Sequence, residues 1–322
     1  MSPRAVAGFT ARRLLAAAVV VLAVSALTFA FIHLAPGGPE QTIAGRFATP
    51  EQLQAIRDSY GLDEPLPSQY ADYVVHAARF DFGDSISTRE PVVTAIQDRM
   101  GVTAPLVLCS FVLICLLGTA LGTLAAYRRG SALDRFLVGV AVTGASAPAF
   151  ATAIILVFVF GVQLGWFPTF GDGEGLADRA RHLALPVVAL TLVGVASMLK
   201  ITRARVADVL QDDHVTFAQA RGLRRRYVIG HAVLRNAGIQ VVTQSGVILL
   251  ALVAGGVLVE VTFGLNGVGA LFIKAIEARD IPVIQAVSLL ITVFIVLVNL
   301  AVDLLYFALD PRVRARPAGA RS

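Results

Sequence analysis

The chain has 322 residues, 56% of them hydrophobic and only 15% charged, with a mean hydropathy of +0.74. Soluble domains carry about 25% charged residues, so this balance excludes an ordinary soluble fold and indicates a bilayer protein. The net charge of +5 does not indicate a nucleic-acid partner, because the basic residues sit at the ends of apolar runs and no basic surface interleaves with aromatics.

Crossing about 30 Å of hydrocarbon takes roughly 20 apolar residues in a helix. Six runs meet that length: Leu14–Leu34, Thr103–Ala126, Phe136–Leu164, Leu183–Ile201, Ile239–Val261 and Val283–Leu305. Only helices and closed barrels satisfy the backbone in lipid, and unbroken runs without alternation are helices. The expected class is therefore an all-α integral membrane protein with six transmembrane helices. Lys and Arg set the orientation. With the N-terminus in the cytoplasm, 18 of the 27 basic residues fall on inside segments and 16 of the 22 acidic residues fall outside. Both termini are thus expected in the cytoplasm.

In chain order, Arg12 and Arg13 precede the first run. Its length exceeds the core of about 7–15 residues of a secretory signal, so it reads as a retained span. The segment from Ala35 to about Val102 is too long for a plain connection. Thr49-Pro50-Glu51 reads as N-cap, first-turn proline and first-turn acid, opening a helix to Ser59 or Tyr60 that stops at Gly61. A second helix opens at Leu66-Pro-Ser-Gln-Tyr70 and runs through His76 to Arg79. This segment is either a solvated cap or a contact surface for an external solute-binding partner, and residues alone leave both open. Cys109 and Cys115 lie in one apolar run and read as packing residues, not as a disulfide framework.

Several spans contain breakers: Pro105, Gly118 and Gly122; Gly144 and Pro148; Pro186 and Gly194; Gly255 and Gly256. Most are expected to serve close helix packing, with a minority bending around a path. Mid-span positions are almost free of charge. Glu260, Asp303 and Lys200 lie near span ends, and Gln244, Asn299 and His33 read as interhelical hydrogen-bond partners, so no ion path is evident. The chain has no Walker A loop, because neither Lys200 nor Lys274 follows a glycine. It also lacks a His-Glu-x-x-His helix and a Gly-x-Ser-x-Gly elbow. Transport energy must then come from another chain, and a self-contained ion-coupled carrier is the alternative.

After the fourth run, Thr202 to Leu210 continues a helical pattern out of the membrane. Asp213 is placed to cap a short helix through Arg221, terminated by Gly222. Ala218 and Ala220 keep that helix thin, and Phe217 or Val215 supplies an apolar anchor. On residues alone it either docks into a partner's groove or lies on anionic lipid.

Phe217-Ala-Gln-Ala-Arg-Gly222-Leu223, followed by His231-Ala-Val-Leu-Arg-Asn236, resembles the cytoplasmic EAA loop of ABC importer permeases, in the dipeptide/oligopeptide/nickel branch. Further motifs agree: His182-Leu-Ala-Leu-Pro186, Gly255 to Glu260 with Phe263 to Gly269, Asp280 to Gln285, Val302 to Tyr306 with Leu309 to Arg312, Asp81 to Ser85, and Gln69-Tyr70. The likeness covers about Arg12 to Arg314. Two positions depart from it: Thr216 replaces the customary Glu, and Gln240 stands where Pro is usual.

The resemblance implies a type I importer permease in the bacterial inner membrane. The cytoplasmic N-terminus and first transmembrane helix would occupy 1–34, a helical extracytoplasmic segment 35–102, the permease core with helices two to six 103–311 with its cytoplasmic coupling loop at about 202–236, and a basic cytoplasmic tail 312–322. The implied partners are a second homologous permease, two ATP-binding subunits that hold ATP and Mg, an external solute-binding protein and the lipid bilayer. It further implies that Asp213, Phe217, Ala218, Ala220 and Gly222 form the ATPase-coupling element, with Arg221 as a polar contact. No catalytic, cofactor or metal residues are expected in the chain, and peptides are the expected solute.

Overall fold

The computed structural model describes residues 3–33, 38, 40, 41, 48–222 and 234–309. In chain order these form α1 (Pro3–His33), α2 (Pro50–Tyr60), α3 (Leu66–Ala78), α4 (Val92–Tyr127), α5 (Ala132–Ser146) and α6 (Ala149–Leu156), which runs on as a π-helix (Val157–Gln163). They continue as α7 (Gly175–Val209), α8 (Asp213–Ala220), α9 (Leu234–Phe263), α10 (Val268–Ala278) and α11 (Ile281–Leu309). Among the described residues, five helices are long and apolar enough to cross a membrane: α1, α4, α7, α9 and α11. A sixth span requires α5 and α6 to be counted together.

That pair departs from the expectation of one continuous helix over Phe136–Leu164, because its two arms bend by 98°. The cause is local. Pro148 forces the preceding residue out of the helical region, and Ala147 is extended at φ −100°, ψ 139°. Pro105 and Pro186 do not break α4 and α7, which run through them.

The chain divides into two compact units, one formed by Met1–Gly101 and Asn266–Leu297, the other by Val102–Leu265 and Val298–Ser322. In the first, α2 has the expected caps. Thr49 Oγ1 accepts from Gln52 N while Gln52 Oε1 accepts from Thr49 N, and Gly61 closes the helix at φ +60°. Helix α3 docks on α1 through the Tyr70 hydroxyl, which donates to Leu22 O at 3.0 Å and lies 2.8 Å from Ser25 Oγ. His33 Nε2 lies 3.1 Å from Gln69 Oε1, so Gln69-Tyr70 is a helix-docking pair. A second core joins Val92 and Ala95 of α4 to Leu271 and Ala275 of α10 and Val283 and Val287 of α11.

The second unit is built on close helix approach. A Cβ on Gly122 of α4 would lie 2.8 Å from Leu199 O of α7, and one on Gly118 would meet Met198 at 2.5 Å. With lipid as apolar as leucine, such backbone approach is what lets membrane helices gain packing energy. Gln244 of α9 donates to Ser197 Oγ of α7 at 3.1 Å, as expected of an interhelical hydrogen-bond partner.

Candidate functional site

Helix α7 does not stop where its apolar run ends near Ile201 but continues to Val209. A tight turn follows, in which Gln211 N donates to Asp208 O and Asp212 N to Val209 O. Helix α8 then begins at Asp213, the first helical residue and not the cap. An acid in the first turn suits the positive end of the helix dipole. Gly222, two residues beyond α8, has φ +72°. A Cβ there would meet nothing within 4 Å, so the left-handed backbone, not lack of space, calls for glycine.

The two apolar anchors the sequence offers take opposite roles. Two positions on a helix are about 200° apart, so Val215 and Phe217 cannot share a face. Val215 is fully buried against Ala126 of α4 and Val206 and Ala207 of α7. Phe217 is 70% exposed, and Ala220, Arg221 and Gly222 are exposed with it. Ala218 lies within α8, although its side chain is outside the described residues, as is the stretch 223–233 with Leu223 and His231. The result is a short helix held to its own chain through Val215 and presenting Phe217 and Ala220 outward.

Two features beneath it escape a reading of the sequence. Asp134 of α5 is 2% exposed, and its carboxylate takes both arms of the Arg203 guanidinium, Nε at 2.6 Å and Nη2 at 2.8 Å. Gly130 N donates to the same carboxylate at 2.9 Å. The only available signal was an acid inside an otherwise basic loop. Gln240, the departure from the expected Pro, lies inside α9 and accepts from Arg205 Nη2 of α7 at 3.3 Å.

Among the described residues, the other two buried acids are also partnered. Glu260 of α9, 1% exposed, accepts from Thr103 Oγ1 at 2.7 Å. Asp280, 1% exposed between α10 and α11, accepts from the Ser85 and Ser87 hydroxyls and from the amides of Ser87 and Ile86. Burial pushes the Asp280 carboxyl up, but these hydrogen bonds outweigh it and hold the group below the usual carboxylate range. Two motif segments nearly 200 residues apart thereby become one knot.

Comparison with known proteins agrees with this architecture. Residues 118–315 match the family described as binding-protein-dependent transport system inner membrane component, and residues 6–107 match its N-terminal model. The chain is 39% identical over 306 residues to the glutathione transport system permease protein GsiC of Escherichia coli (strain K12), covering 95% of this chain and 98% of that one. The same identity and coverage hold for GsiC of Shigella dysenteriae serotype 1 (strain Sd197). Among solved structures, one titled inward facing conformations of the MetNI methionine ABC transporter aligns with a TM-score of 0.55 at 14% identity, over 68% of this chain and 97% of that one. It shows the shared fold. A multi-pass helical chain matched over nearly its whole length in this way belongs to the binding-protein-dependent transport system inner membrane components, as the permease subunit of an ABC importer.

Proposed function

We propose that this permease is one half of the membrane channel of an importer for small peptides of the glutathione type. It pairs with a second homologous permease, two ATP-binding subunits that carry ATP and Mg, and an extracytoplasmic solute-binding protein. Both termini and α8 face the cytoplasm, in keeping with the excess of Lys and Arg on those segments. The observation that carries the substrate class is 39% identity over 95% of the chain to permeases named for glutathione transport.

The work is mechanical. ATP-driven closure of the partner subunits moves a groove that grips Phe217, Ala218, Ala220 and Gly222, with Asp213 in the first turn and Arg221 as a polar contact. Val215 passes that motion to the ends of α4 and α7, where it is packed. The spans then exchange between inward- and outward-open arrangements, a two-state equilibrium biased from one side.

The test is ATP turnover by the purified complex of permeases, ATP-binding subunits and binding protein. Glutathione or a di- or oligopeptide is expected to raise turnover several-fold, and a nickel chelate to leave it unchanged. Stimulation by the chelate and by none of the peptides would overturn the substrate assignment.

A further inference from the structure

We propose that Asp134 and Arg203 are positioning residues that lock the base of α4, α5 and α7 into one rigid arm, so that motion applied to α8 reaches three helices together. The inference rests on the reading of α8 as the coupling element.

The geometry is that of a fastener. Asp134 Oδ1 accepts from Arg203 Nε, and Oδ2 accepts from both Arg203 Nη2 and Gly130 N, so three donors hold one buried carboxylate. Ser131 Oγ accepts from Asp134 N at 3.2 Å, capping α5 beneath it. A guanidinium bound through two parallel hydrogen bonds is fixed in plane as well as in distance, which a lysine's single ammonium cannot reproduce.

Its location gives it a role. Gly130 and Ser131 belong to the connection from α4 to α5, while Arg203 lies on the part of α7 that extends past its apolar run. Three positions after Arg203, on a neighbouring part of the helix surface, Val206 packs against Val215 of α8. Ala126, in the last turn of α4, belongs to the same cluster. Force entering through Val215 thus reaches α4 and α7 where Asp134 ties their continuations together. Without the tie, the turn at 128–131 and the last two turns of α7 would bend separately and absorb the displacement. Higher up, Gly122 brings α4 against Leu199 and Thr202 of α7, which continues the same rigid pair.

The experiment measures solute transported per ATP hydrolysed in reconstituted complexes carrying Asp134→Asn, Arg203→Lys or both, with Ala220→Glu in parallel. Each single variant is expected to co-purify with its ATP-binding subunits and hydrolyse ATP, yet to transport about tenfold less solute per ATP. The double variant is expected to lose no more than the worse single, because the two residues act as one unit. Normal transport per ATP in both singles, or losses that multiply in the double, would overturn the clamp. So would failure of even Arg203→Lys to assemble, since the pair would then serve folding alone. Uncoupling by Ala220→Glu beside normal transport per ATP in both singles sinks the clamp and spares the coupling element. A normal Ala220→Glu sinks the coupling element itself.

Discussion

Replacing Ala220 by Glu should lower solute uptake by about 100-fold or more while leaving the permease inserted and folded. Ala220 is exposed at the end of α8, so its substitution disturbs no packing among the described residues, and such surface changes usually fall within about ±0.5 kcal/mol of stability. The damage arises in the complex. A carboxylate carried into a desolvated groove without a partner costs about 3–5 kcal/mol. At about 1.4 kcal/mol per factor of ten, that removes two orders of magnitude or more from docking. Gly222→Pro should act alike by a different route, because proline fixes φ near −65° and the native backbone there is at +72°. Uptake and ATP hydrolysis measured in the same proteoliposomes check both variants. Normal uptake by a well-folded Ala220→Glu complex would remove α8 from the coupling path.

Asp280→Ala should loosen the first unit by about 1–3 kcal/mol of local stability. The carboxylate is buried and takes four hydrogen bonds. Deleting it leaves the buried Ser85 hydroxyl without its carboxylate, at about 1–3 kcal/mol, while the exposed Ser87 groups and the half-buried Ile86 amide can turn to water. The pH dependence has a definite sign. Because the folded carboxyl titrates below its unfolded value near 3.9, its contribution is complete above that value. It is lost as pH falls through the lowered folded pKa. Limited proteolysis of the segment around Ser85–Thr88 should therefore show acid-triggered opening in the native chain. Asp280→Asn should loosen the same segment at neutral pH and flatten its response to acid. Equal protease resistance of native chain and Asp280→Ala would show that the knot contributes nothing.

Most of the fold was legible because each span is a local property. A run of some 20 apolar residues has no alternative in lipid but a helix, and Thr49, Pro50 and Gly61 declare the ends of α2 without help from elsewhere. The bend at Pro148 was not legible. Pro105, Pro148 and Pro186 look alike in sequence, yet the backbone stays helical through Pro105 and Pro186 and turns extended at Ala147 before Pro148. The short helix and the glycine after it could be read from the stretch Asp213 to Gly222, but two anchors were offered and only packing could assign Val215 inward. The ties Asp134–Arg203, Glu260–Thr103 and Asp280–Ser85 are long-range pairings. No spacing rule reaches them, because the chain between the partners is free to take any length.

The central claim is that the Phe217 side of α8 is gripped by an ATP-binding subunit. A photo-activated cross-linking side chain at position 217, in the assembled complex with its binding protein, measures this directly. The account predicts a cross-link to an ATP-binding subunit whose yield changes between ATP-bound and nucleotide-free states. Cross-links to lipid alone, or to the solute-binding protein on the opposite face of the membrane, would contradict it.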